Sequence, residues 1–153
     1  MGAEARLAEL GWVLPEPPQP VANYIPAVVA TGLLFTSGVL PTVAGKLTCT
    51  GKVGRELSLE QAQDATRLAL LNALAIVRRE LGSLDRVTRV VRLTGHVQSA
   101  PGFSQQPAVL NAASDRLVEL FGEAGRHTRL ALGAAELPLN APIEIDLIVA
   151  VRG

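Results

Sequence analysis

The chain has little of several things that define common protein classes. One cysteine, Cys49, and two histidines, His96 and His127, stand in 153 residues. A lone cysteine closes no internal disulfide, and no Cys or His pair has ligand spacing, so neither a disulfide framework nor a metal site is expected. One Trp, one Tyr and three Phe are the whole aromatic complement, and 14 basic side chains balance 14 acidic ones. Without a Lys or Arg run to gather a positive field, and with few rings for base stacking, nucleic acid is not favoured as a partner. No apolar stretch approaches the ~18 residues of a membrane span, and no charged-then-apolar leader is present. Arg6 stands where a myristoylation motif starting at Gly2 needs Ser or Thr. The expectation is a cytoplasmic protein with no membrane partner. Phosphate-cradling glycine motifs are absent as well, Gly51-Lys52-Val53-Gly54 reading as a turn, so no cofactor is expected.

What is present is an apolar chain: 48% hydrophobic residues against 18% charged ones. That balance argues against disorder and leaves fewer charges than the usual ~25% for wetting a surface, as if other subunits cover part of it. The length suits one domain, which at this size hides roughly 70% of its unfolded surface. Pro15, Pro17, Pro18 and Pro20 impose an extended path after a helical turn over Ala3 to Leu10. The chain therefore divides into an N-terminal arm, residues 1–22, and a domain, residues 23–153.

Within the domain, Ala27 to Thr36 reads as a hairpin turning at Thr31-Gly32 and ending at Ser37-Gly38. A short strand pair is expected around Leu47-Thr48 and Arg55-Glu56. Ser58-Leu59-Glu60-Gln61 is a capping-box pattern, opening a helix whose Ala62, Ala65, Ala69 and Ile76 recur at helical spacing and which Gly82 closes. Val87 to Val97 reads as a strand, with Val87, Arg89, Val91 and Leu93 on one face. Ser104 is expected to cap a second helix running to Phe121, and Gly122 to end it. Strands over Thr128 to Ala135 and Ile143 to Val151 follow, separated by Leu137-Pro138-Leu139-Asn140-Ala141-Pro142. The order β-β-α-β-α-β implies an α+β domain in which one mixed sheet carries both helices on one face. Something must cover the other face, and oligomerisation is the simplest cover.

Two groups of residues suggest chemistry. Ser37, at a strand end beside Gly38, is the one serine placed to expose a hydroxyl and a backbone N–H together, although a turn cap would look the same. Glu144 and Asp146, two apart in a strand, point to one side of the sheet as a paired-carboxylate site or a solvated strand face.

These residues lie in an order that resembles the Rid (YjgF, endoribonuclease L-PSP) family. Tyr24 followed by Gly32-Leu33-Leu34-Phe35-Thr36-Ser37-Gly38-Val39-Leu40-Pro41 resembles its opening hairpin. Asn72 with Ala75-Ile76-Val77 resembles its first helix, Asn111-Ala112 its second, and Arg129, Leu137-Pro138 and Ile143-Glu144-Ile145-Asp146 its closing strands. The resemblance implies a chorismate-mutase-like homotrimer with a small-molecule ligand in clefts between subunits. It implies catalytic roles for Glu144 and Ser37, ligand contacts for Tyr24, Gly38, Asn111 and Arg129, and hydrolysis of enamines or imines with an arginine clamping the substrate carboxylate. Here the chain departs from the pattern, because Glu136 stands before Leu137-Pro138 where the family has that arginine. Two like charges 4 Å apart at an effective dielectric near 20 cost about 4 kcal/mol, so imines derived from amino acids should bind badly unless Arg129 or Arg92 reaches in. The expectation is an imine or enamine without a free carboxylate, with a noncatalytic ligand-sensing trimer as the alternative and RNA cleavage ranked third.

Overall fold

A computed structural model describes residues 1–20 and 22–153; Val21, inside the expected arm, lies outside the described residues. In chain order the elements are α1 (Ala3–Glu9), β1 (Ala27–Ala30), β2 (Leu33–Thr36), β3 (Thr42–Val43), β4 (Lys46–Leu47), α2 (Leu59–Leu81), β5 (Val87–Gln98), α3 (Gln106–Phe121), β6 (Thr128–Ala134) and β7 (Ile143–Val151), with short 3-10 turns between some of them. Five strands form one sheet in the order β1-β2-β7-β5-β6, in which only the β5–β6 pair is parallel. The parallel pair needs a crossover, and α3 supplies it. This is a single mixed α+β domain with three helices.

Local sequence accounts for α2. The Ser58 hydroxyl accepts from the Gln61 N–H while the Gln61 side chain accepts from the Ser58 N–H, and Gly82 closes the helix at φ 83°, a left-handed cap that costs glycine nothing. Its buried stripe is Ala62, Ala65, Ala69, Leu70, Ala73, Leu74, Ile76 and Val77, and the alanines let the helix lie close to the sheet. Beneath α2 and α3, Leu34, Val90, Leu93, Val97, Ile143, Ile145 and Leu147 are fully buried. At Gly95 a Cβ would stand 2.3 Å from the Leu110 side chain, so α3 packs against bare backbone there.

Three expectations are corrected. Strict alternation in β5 fails: register shifts between Val87 and Arg89 and between Val90 and Arg92 place Val90, Leu93 and Val97 inward, because bulges reset the period of two. The short strand pair is Thr42–Val43 with Lys46–Leu47, while Arg55 and Glu56 lie in a turn closed by the Arg55 and Leu57 N–H groups donating to the Lys52 carbonyl. The second helix starts later than Ser104, with Gln105 as N-cap and no side-chain cap bond.

The arm begins as a docked helix. Leu7 is buried, Glu4 accepts from the Arg78 guanidinium and from the Leu84 N–H, and the Arg6 Nε donates to the Glu119 carbonyl. Trp12 then lies 4.7 Å from the Arg116 guanidinium carbon, a cation–π contact. No helix among the described residues is long and apolar enough to cross a membrane.

The other side of the sheet carries no helix. Val28, Phe35, Leu130 and Leu132 are 46%, 36%, 40% and 41% exposed there, and among them stand Arg92, Thr94, His96, Glu144 and Asp146.

Candidate functional site

The C-terminal ends of β2, β5 and β6 and the start of β7 meet at one end of the sheet. Beyond β2, Ser37 turns back on the segment before β1: its N–H donates to the Pro26 carbonyl at 2.8 Å and its hydroxyl to the Ile25 carbonyl at 2.7 Å. Of the two readings of Ser37, free donors or a turn cap, the bonds are those of a cap, since both donors are committed to main-chain acceptors. What Ser37 does is fix the segment that carries Tyr24, which is exposed. After Gly38 the chain pairs with β7 through Val39 and Ile145. The buried Asn72 holds the next stretch, donating from Nδ2 to the carbonyls of Leu40 at 3.1 Å and Thr42 at 2.9 Å.

Glu144 lies against that turn. A Cβ on Gly38 would stand 2.9 Å from the Glu144 carboxyl carbon, so the missing side chain is what lets the carboxylate touch the backbone. His96 is its cross-strand neighbour on β5, and Asp146 lies two residues on, opposite Thr94. Burial pushes the Glu144 carboxyl above the usual range, with nearby Asp146 adding to the rise and His96 opposing it. Asp146 is also raised by burial, against His96 and Arg92. A half-buried carboxyl with a raised pKa beside exposed main chain is suited to exchanging a proton with, or orienting, a water.

Glu136 sits at the same end of the sheet but points outward, its side chain 80% exposed, with the 17%-exposed Lys52 ammonium 3.3 Å away. Lys52 also donates to the Ala135 carbonyl. Sequence reading took Lys52 for part of a turn and missed this pairing. It also missed Gln98, a fully buried side chain that donates to the Gly51 carbonyl and to Asn140 Oδ1 and accepts from the Leu137 N–H. Gln98 thereby joins the Lys52 turn to the Glu136 loop, where Leu139 and Asn140 both have positive φ.

Asn111 and Arg129 stand elsewhere in the subunit. Arg129 is on the helix side of β6, donating to Asn111 Oδ1 at 2.8 Å and to Ser114 Oγ at 3.1 Å. Its register runs through Leu93 to Leu147, three positions from Glu144, which is roughly 10 Å along the strand and on the opposite face. Cys49 is part-buried, and burial raises its thiol, which argues against a reactive thiolate. No group of three metal-ligating side chains occurs among the described residues.

Three relatives set this arrangement in context. The chain is 40% identical over 151 residues to Protein TCP17 of Trypanosoma cruzi, covering 97% of this chain and 93% of that one. The crystal structure of Atu1372 from Agrobacterium tumefaciens, whose function is unknown, superposes with a TM-score of 0.90 at 44% identity, covering 98% of this chain and 92% of that one. TdcF of E. coli, solved with bound serine, superposes at 0.67 with 25% identity, covering 90% of this chain and 94% of that one. The family profile described as YjgF/chorismate mutase-like, putative endoribonuclease matches residues 4–151, and the chain belongs to that family.

Proposed function

We propose that the protein is a cytoplasmic homotrimer that binds a small metabolite in clefts between subunits and hydrolyses the C=N bond of an imine, or of the imine tautomer of an enamine, whose reacting carbon bears no free carboxylate. The observation that carries this reading is the half-buried Glu144 carboxyl lying against the Gly38 backbone with its pKa raised by burial. Glu144 orients the attacking water and relays its proton; the turn at Ser37 and Gly38 bounds the ligand, and Tyr24 covers it. The exposed apolar residues of the open face support burial by copies of the same chain, since a patch of this kind is uncommon on a free monomer. Charge selection falls to Glu136. Its partner Lys52 is already held by the Ala135 carbonyl and by Glu136 itself, so Lys52 is not free to meet a substrate carboxylate.

The direct test compares ammonia release from 2-iminopropionate with release from 2-iminopropionamide. The wild type is expected to favour the amide, Glu136→Arg to shift the preference toward the acid, and Glu144→Gln to lose about 100-fold in turnover of either. A wild-type preference for the acid would overturn the charge argument. One observation favours a second reading, a noncatalytic ligand-sensing trimer: the Ser37 hydroxyl donates to Ile25 and no base activates it. Saturable binding of the amide without ammonia release would establish that reading. RNA cleavage ranks last, on zero net charge and the small aromatic complement.

A further inference from the structure

Given the hydrolysis proposed above, on which this step rests, we infer that His96 is a second catalytic residue beside Glu144, the group that gives protons to the nitrogen of the C=N bond. Hydrolysis of an imine moves both protons of one water from oxygen to nitrogen. A carboxylate that orients and deprotonates the water is therefore half of what the reaction needs, and a donor to nitrogen is the other half.

The subunit holds two imidazoles and spends one of them. His127 has both ring nitrogens engaged, Nδ1 lying 2.6 Å from the Gly125 carbonyl and Nε2 2.9 Å from Ser114 Oγ. His96 makes no hydrogen bond and no ion pair among the described residues. It is part-buried on the open face and directly opposite Glu144 in the β5–β7 register, which sets the two Cβ atoms about 5 Å apart. Asp146 takes the next position of β7 on that face, opposite Thr94, and the charge of His96 acts on both carboxyls. Arg92 stands four residues back on the same strand, and Leu132, opposite on β6, brings no charge.

Glu144 and His96 do not bond each other, so they can address different atoms of one bound group. In the first half of the reaction the water oxygen bonds the imine carbon and the C=N π pair moves to nitrogen. Glu144 takes one water proton, and the His96 imidazolium gives its proton to nitrogen. The proton on Glu144 then passes to His96, directly or through one water, in the direction in which a carboxyl ordinarily protonates an imidazole. In the second half Glu144 takes the carbinol proton, His96 protonates the amine, and the C–N bond breaks with its electron pair leaving on ammonia as the C=O forms. A last transfer from Glu144 to His96 restores both groups. Two protons leave the water and two arrive on nitrogen, with no other co-reactant.

The test follows ammonia release from 2-iminopropionamide by the wild type and His96→Gln, with kcat and KM measured across pH. His96→Gln is expected to lose about 100-fold in kcat with KM little changed, and to lose the alkaline limb of the wild-type profile. A neighbour acting through its charge alone would behave differently. Because His96 opposes the rise of the Glu144 carboxyl, its removal would then move the acidic limb to higher pH and leave the plateau in place. That result, or an unchanged kcat in His96→Gln, overturns the proposal. If His96→Gln fails to fold, the wild-type profile decides, since a kcat that does not fall on the alkaline side overturns the relay. Absence of ammonia from the wild type sinks the hydrolase reading and the relay with it, whereas an active wild type with an equally active His96→Gln sinks His96 alone.

Discussion

The two faces of the central sheet are made from the same strands and have opposite fates. On β7, Ile143, Ile145 and Leu147 are fully buried under α2 and α3, while the alternating Glu144, Asp146, Ile148 and Ala150 are only part-buried. The chain completes the first face by itself. On the second it leaves aliphatic and aromatic side chains in water next to two carboxylates, a histidine and an arginine. The difference teaches where the subunit's own packing ends: one face stabilises the subunit, and the other keeps its apolar side chains exposed, as the proposed association of copies would require.

The largest effect is expected from breaking the finished face. Leu147→Ala should destabilise the subunit by about 2–5 kcal/mol, as a cavity in a closed core does, measured by urea denaturation at fixed protein concentration. On the open face Phe35→Asp should act differently, converting the assembly to monomers in light scattering while the far-UV circular dichroism is largely kept. Unfolding of that variant, or an unchanged oligomer, would mean that the face is not a joint between copies. The smallest effect concerns pH. Burial raises the Glu144 and Asp146 carboxyls above their unfolded values, so in the window just above those values, which are about 3.9–4.3, the folded state binds more protons than the unfolded state. Stability from this source is lost as pH rises through that window. Glu144→Gln and Asp146→Asn should flatten the dependence and be neutral to stabilising at pH 7, as read from denaturation midpoints across the range.

Features with local causes were legible in the sequence. The capping box of Ser58 and Gln61, the closing Gly82 and the alternation in β7 each depend on neighbours a few residues away. The uncovered face was legible too, as an excess of apolar residues over what two helices could hide. The bulges of β5 were not, because alternation carries no mark where it slips and only the pairing with β7 sets the register. Lys52 and Glu136 are 84 positions apart, and nothing in either segment announces the other. At the site, the sequence placed Glu144 and Asp146 on one side of the sheet, where they are, but it left Ser37 open between a free donor pair and a turn cap, and it did not join Ser114 to His127 or Arg129. A hydroxyl's partner is decided by tertiary contact, and Ser114 in the middle of a helix resembles any other small polar residue until β6 is laid beside it.

The strand order has a bearing on how the molecule is made. β7, the last of the five strands in chain order, sits third in the sheet, with the β1–β2 hairpin on one side and the β5–β6 pair on the other. Until it emerges the nascent chain holds two half-sheets with nothing to join them, so productive folding of the sheet waits for Ile143–Val151 to be made. A premature stop before Ile143 would remove the keystone rather than trim an edge.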